Sequence, residues 1–157
     1  MNQVSEQDFK SAMRCLVTSV TVLSTANIQG ELFGLTVNSF ASVSLNPPLV
    51  LFCITYKSSS LQAIRSSGTF AINILNHSQE SISRHFASSG QEKFAIINYE
   101  IGSISGAPLI SDANCWIECS LEKEYEGGDH AIILGRVKKV TVNNDSRPLA
   151  YYNGNYQ

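Results

Sequence analysis

Gly34-Leu35-Thr36-Val37-Asn38-Ser39-Phe40-Ala41-Ser42-Val43-Ser44-Leu45-Asn46-Pro47-Pro48, running on into Leu49-Val50-Leu51-Phe52-Cys53, is the stretch around which this chain is organised. It is extended and β-prone, carries a row of short hydroxyl and amide side chains, and closes on a double proline before an almost wholly apolar run. Thr, Ser and Asn both donate and accept hydrogen bonds. On an extended backbone such small groups leave main-chain N–H and C=O groups open to a flat, polar-edged ligand. A strand that only filled a core has no use for Thr36, Asn38, Ser39, Ser42 and Ser44 in close succession. The competing reading is a polar strand face bordering a loop.

Working outward, the 157 residues suffice for a single domain, 1–157, whose core needs no disulfide or metal. The net charge of −2 and the 15% of charged residues argue against a nucleic-acid partner or an anionic membrane surface. Neither a spanning apolar run nor a basic-then-apolar leader is evident, so the expected compartment is the cytoplasm. Cys15, Cys53, Cys115 and Cys119 are dispersed in apolar surroundings, as reduced buried thiols usually are.

Along the chain, Ser5 to Arg14 reads as a helix capped by Ser5, with Asp8 at the capping-box position and Phe9 and Met13 on one face. Leu16–Thr25 alternates as a strand, Asn27–Gly30 turns, and Leu32–Phe40 returns as its hairpin partner. Asn46-Pro47-Pro48 is expected to break pairing, because proline donates nothing to a ladder. Leu49–Thr55 reads as a central strand. A serine-capped helix then stops at Gly68, Thr69–Leu75 is a strand, and Ser78–Phe86 is a helix. Gln91–Pro108 is irregular. Cys115–Tyr125 and His130–Val142 flank the turn Glu126-Gly127-Gly128-Asp129, and Pro148–Tyr156 is a tyrosine-rich tail. The sum is about six antiparallel strands with short helices at the corners, a density that favours a small barrel over a doubly wound sheet.

Several chemistries have no support. The chain has no G-x-G-x-x-G, no G-x-x-x-x-G-K-[ST] and no G-x-S-x-G. Cys115 and Cys119 lie on one strand face but roughly 13 Å apart, too far to share a metal ion, so they read as core. Ser58-Ser59-Ser60, with Lys57 beside them, suit either plain capping or a phosphate at a helix N-terminus. Arg84 pairs with a pyrophosphate or is a solvated surface arginine, and Phe86 reads as core. Asp129 orients His130 at the start of a strand, or contacts a ribose hydroxyl. Tyr151, Tyr152 and Tyr156 either cover a ligand or pack on a neighbour.

Taken together, Thr36-Val37-Asn38-Ser39-Phe40-x-Ser42-Val43-Ser44-Leu45-x-Pro47-Pro48-Leu49-Val50, then Gly128-Asp129-His130, then Pro148-Leu149-x-Tyr151-x-x-Gly154-x-Tyr156 resemble the flavin reductase family with the FMN-binding split-barrel fold. The likeness runs from Phe9 to Tyr156. It is strongest to the reductase components of two-component flavin monooxygenases of the 4-hydroxyphenylacetate 3-monooxygenase type. The resemblance implies a mainly β, antiparallel, Greek-key split barrel that forms a homodimer. It implies NADH or NADPH as electron donor, FMN or FAD as acceptor, and a separate monooxygenase supplied with diffusible reduced flavin. By position it places Thr36, Val37, Asn38 and Ser39 along the flavin, with Ser42 and Cys53 beside them. Ser58, Ser59 and Ser60 hold the phosphate end, and Arg84 with Phe86 closes that side. Asp129, His130, Tyr151 and Tyr156 fall to the nicotinamide nucleotide. Hydride passes directly between the two rings, so no catalytic side chain and no metal are expected. Two other readings use the same fold: an FMN-holding electron carrier, and a reductase of a ferric complex or corrinoid.

Overall fold

The computed structural model describes residues 4–90, 92–143 and 146–157. The first helix, α1 (Glu6–Met13), starts where its sequence says, with the Ser5 hydroxyl accepting the Asp8 amide at 3.0 Å. None of its residues is buried. The expected strand Leu16–Thr25 breaks at Val20 into β1 (Thr18–Ser19) and β2 (Thr21–Ala26). The turn that follows is held by Asn27, whose side-chain oxygen accepts the amides of Gln29 and Glu31, with Gly30 at φ +83°. Then come β3 (Leu32–Val37), β4 (Ala41–Leu45), β5 (Pro48–Thr55), α2 (Ser59–Ser67) and β6 (Thr69–Ile74). A 3-10 turn at His77–Gln79 leads into α3 (Glu80–Ala87). The rest is β7 (Tyr99–Ile101), β8 (Pro108–Ile110), β9 (Cys115–Gly127), β10 (His130–Val142), β11 (Ala150–Tyr152) and β12 (Asn155–Tyr156).

Seven strands form one antiparallel sheet in the order β3-β2-β6-β9-β10-β5-β4. Its two edge strands, β3 and β4, are consecutive in the chain and separated only by Asn38, Ser39 and Phe40. Laid flat, seven strands span about 29 Å from edge to edge. The four residue steps from Val37 to Ala41 reach at most about 14 Å. The sheet therefore has to roll up, and β3 comes into contact with β5. What results is an antiparallel barrel with a seam that is closed by a length of chain and not by a hydrogen-bonded ladder.

Inside the roll lie Leu23, Val37, Phe52, Ile54, Phe70 and Ile133, with Leu61 and Ile64 of α2 packed against them. Phe52 and Phe70 meet edge to face at 5.2 Å. Gly135 leaves room for the Phe70 ring, which a Cβ there would strike. Cys119 is buried in this core and Cys115 packs on it. Burial pushes the Cys119 thiol up to about 12. A second core lies on the outer face of β2, where Val20 and Val22 meet Leu75, Phe86, Phe94 and Leu149.

Glu118 is 2% exposed and fastens the loop between β7 and β8 to β9. Its Oε2 accepts the amides of Ile104 at 2.9 Å and Ser105 at 2.8 Å and the Ser105 hydroxyl at 2.9 Å. Lys139 Nζ stands 3.7 Å from Oε1. Burial pushes this carboxyl up, but the bonds from Ser105 and Ile104 and the Lys139 charge outweigh it and hold the group below its ordinary 4.5.

Several sequence expectations need correction. Val20 ends β1 because that strand pairs with β11 in a separate sheet, β1-β11-β12. The polar strand stops at Val37, not Phe40. The double proline does not end pairing, since Asn46 and the cis Pro47 form a tight turn and Pro48 opens β5 opposite Leu45. A proline is tolerated there because it is the first residue of its strand. β5 is not central but next to the β4 edge. It is apolar throughout because Val50, Phe52 and Ile54 face the core while Leu49, Leu51 and Cys53 half-cover the outer face. The region expected to be irregular pairs β7 with β8, and the tyrosine tail folds as the β11–β12 hairpin. The twelve strands among the described residues exceed the expected half-dozen because these short pairs lack the apolar alternation that marks long strands.

Candidate flavin site at the barrel seam

The crossover Asn38-Ser39-Phe40 has left β3 and not yet joined β4, and none of the backbone–backbone hydrogen bonds among the described residues involves it. Asn38 is exposed; Ser39 and Phe40 are half-buried. Ser39 is held from across the seam. Its hydroxyl accepts the Cys53 amide at 2.9 Å and donates to the Cys53 carbonyl at 3.3 Å. One side chain thereby stands in for a strand neighbour on the edge of β5 beyond the reach of β4. The open backbone of residues 38–40 and the Asn38 amide remain for a ligand with a polar edge, which is the character of a flavin ring.

Thr36, next on β3, donates from Oγ1 to the Ser83 carbonyl on α3 at 2.6 Å. The Ser83 hydroxyl is 2.8 Å from the Tyr156 hydroxyl. Over the Tyr156 ring lies the Arg84 guanidinium, 4.7 Å from its centroid and bonded to Glu80. Tyr151 meets the same ring edge-on at 5.2 Å. Residues scattered through the sequence (Thr36, Arg84, Tyr151 and Tyr156) thus form one connected group. Ser83, fully buried, joins them and was not singled out by sequence. Its only sequence signal is its place beside Arg84.

At the other end, Cys53 and His130 are diagonal neighbours on β5 and β10, since Cys53 pairs with Ile132 and Thr55 with His130. Such neighbours lie about 7–8 Å apart. The Gly128-Asp129 turn, with Gly128 at φ +73°, delivers His130 to that face. His130 Nδ1 donates to Asp129 Oδ1 at 2.7 Å. That bond, then the His130 charge, holds the Asp129 carboxyl below its ordinary 3.8. Ser58 caps α2 by backbone geometry alone, with no side-chain capping bond. Its hydroxyl is free beside the first amides of that helix, a favourable setting for an anion. Ser59 is exposed and Ser42 likewise.

Three designated side chains do not reach this surface. Phe86 is 1% exposed and sits in the second core against Gly34 and Phe94. Val37 points into the barrel and Ser60 is buried in the first turn of α2. In each case apolar packing or helix geometry turns the side chain inward, and only the backbone of Val37 borders the seam.

A cavity of about 390 Å³ opens beside Asn38, between α1 and the β11–β12 hairpin, and Tyr151 forms part of its wall. A larger groove of about 580 Å³ runs along α3 but holds none of the designated residues. Three of its polar side chains are engaged in structural bonds: Ser78 bonds Asn76, Gln79 bonds Asn76 and Ser111, and His85 donates to the Lys93 carbonyl.

The fold and this surface define a flavin-handling split barrel. The chain belongs to the flavin reductase like domain family, which matches residues 13–157. It is 37% identical to the reductase subunit HsaB of a flavin-dependent monooxygenase of Rhodococcus jostii (strain RHA1), over 98% of this chain and 77% of that one. The Streptomyces globisporus C-1027 NADH:FAD oxidoreductase SgcE6, solved with NAD and FAD fragments, superposes with a TM-score of 0.92 at 35% identity, covering 100% of this chain and 96% of that one. A third relative, from Rhizobium meliloti (strain 1021), is 39% identical over 94% of this chain, which spans only 47% of that relative's length.

Proposed function

We propose that this chain is an NAD(P)H:flavin oxidoreductase that reduces FMN or FAD and supplies reduced flavin to a separate monooxygenase. The observation that carries this reading is the family match over residues 13–157, laid on a barrel whose seam exposes the unpaired backbone of Asn38–Phe40. When bound, flavin supplies the hydride-accepting ring. The protein's part is alignment and exclusion of water. The seam backbone and Asn38 meet the polar edge of the ring, and Ser39 keeps them fixed to β5. Ser58 and Ser59, at the start of α2, receive the phosphate. His130, held by Asp129, faces the nicotinamide nucleotide.

The working form is a cytoplasmic homodimer in which 1–157 acts as one domain. Its interface is the outer face of β5 and β10, where Leu51, Cys53, Ile132 and Leu134 lie side by side, half-buried in one chain. NADH loss followed anaerobically against added FMN, FAD or riboflavin tests the activity. Catalytic loss that saturates with flavin upholds it. A single stoichiometric turnover of bound flavin, unresponsive to added flavin, gives the carrier reading instead. No loss with NADH or NADPH rejects the enzyme.

A further inference from the structure

Ser83 lies in the middle of α3 and is fully buried. A serine hydroxyl within a helix commonly turns back to a carbonyl of the preceding turn. This one does not: among the described residues its only partner is the Tyr156 hydroxyl at 2.8 Å. The Ser83 carbonyl meanwhile accepts the Thr36 hydroxyl at 2.6 Å. One residue of α3 thus holds β3 by its main chain and β12 by its side chain. In the backbone ladder β12 pairs with β11 alone, at the edge of its own sheet. That pairing sets Tyr156 opposite Tyr151, ring to ring at 5.2 Å. Tyr151 and Asn38 both line the cavity of about 390 Å³ beside the seam. The circuit closes on itself, because Asn38 lies two residues beyond Thr36.

We infer that Ser83 is a positioning residue for flavin binding: it braces the C-terminal hairpin against β3 and so sets the distance between Tyr151 and the open backbone of the seam. Ser83 is closed to solvent, so it acts through Tyr156 and not on a ligand directly. Loss of either hydroxyl cuts the brace, and no water reaches Ser83 to replace the missing partner. Tyr156 then carries Tyr151 with it, because the two are register partners, and the wall beside Asn38 gives. A wall already at its working distance spares binding the cost of ordering it. The inference rests on the flavin-reductase reading for the identity of the ligand.

FMN is the probe, titrated into the full-length protein by the quenching of its fluorescence, well below the melting temperature of every variant, so that no turnover is needed. The wild type binds FMN, and Ser83→Ala and Tyr156→Phe each weaken it roughly five- to tenfold, the loss expected for one hydrogen bond. The double variant binds no more weakly than either single one, because both cut the same bond. A merely structural Ser83 lowers the melting temperature and leaves the FMN dissociation constant where it was, and that result overturns the brace. So does a double variant whose loss is the product of the two single losses, or a wild type that binds no FMN. If Ser83→Ala fails to fold, Tyr156→Phe decides alone, since the phenyl ring keeps its contacts with Arg84 and Tyr151. Weakened binding in these variants of a protein that oxidises neither NADH nor NADPH keeps the brace and loses the reductase reading.

Discussion

Ser39 Oγ lies 2.9 Å from the amide nitrogen and 3.3 Å from the carbonyl oxygen of Cys53, and bonds both. A single hydroxyl thus satisfies two main-chain groups on a neighbouring strand while its own backbone stays open. Ser39→Ala leaves that amide and carbonyl without partners at a half-buried edge. The expected cost is about 1–2 kcal/mol in denaturant unfolding, accompanied by weaker flavin binding in a fluorescence titration. Unchanged stability removes Ser39 as the link across the seam.

Glu118 predicts a pH signature. Its carboxyl is held below 4.5 in the folded chain. Above the unfolded value this contributes stability in full. As pH falls from about 4.5 through the lower folded value, the unfolded chain takes up the proton first and the contribution is lost. Wild type and Glu118→Gln therefore differ most at neutral pH and converge in acid. A stability gap that stays constant from pH 7 to pH 3 contradicts this account.

Gly135 faces the Phe70 ring where a methyl has no room. Both neighbours are core elements, so relief by a flexible surface group is not available. Gly135→Ala is expected to destabilise by about 1–3 kcal/mol through overpacking, and pairing it with Phe70→Leu should recover part of that loss. A thermal melt of the two variants reads the outcome.

Ile132 sits at the middle of the outer apolar face, opposite Cys53. Ile132→Asp places a charge in the proposed dimer interface and should raise the dimer dissociation constant by about 100-fold or more. Sedimentation velocity decides: a wild type that is monomeric, or a variant that stays dimeric, excludes this face.

The hairpin turns were plain in the sequence because Asn27, Gly30 and Gly128 announce them chemically, and so was the end of α2 at Gly68, with φ +70°. The bounds His130–Val142 agree with the sequence expectation, since His130 follows directly on the glycine turn and the burial alternates from His130 to Arg136. What stayed hidden depended on distant partners. Val20 looks no different from its neighbours, and the break there follows only from the pairing of Thr18 with Tyr151. Phe40 is a good strand former, yet the chain leaves the sheet before it because β3 and β4 belong to opposite edges. Phe86 was placed beside the ligand by resemblance, but the space left by Gly34 draws it into the core. The motif at residues 36–42 stands out in the sequence, and the structure places its Asn38–Phe40 segment at the seam. Its connection to α3 through Ser83, and the cavity beneath α1, do not stand out, because no spacing in the sequence encodes them.

The three residues joining β3 to β4 also set how the molecule can breathe. Widening the roll at Asn38–Phe40 severs no strand ladder, only the side-chain clasp from Ser39 to Cys53. A flavin bound at the seam as proposed acts as a removable stave: while it is in place the two edges are spanned, and its departure needs no unfolding. Retention and release then lie along one soft coordinate. Amides flanking the seam should exchange with solvent faster than those of β9 and β10, and slow when flavin is added. A carrier of diffusible product is served by such an exit, because the barrel can let go of its cargo without taking itself apart.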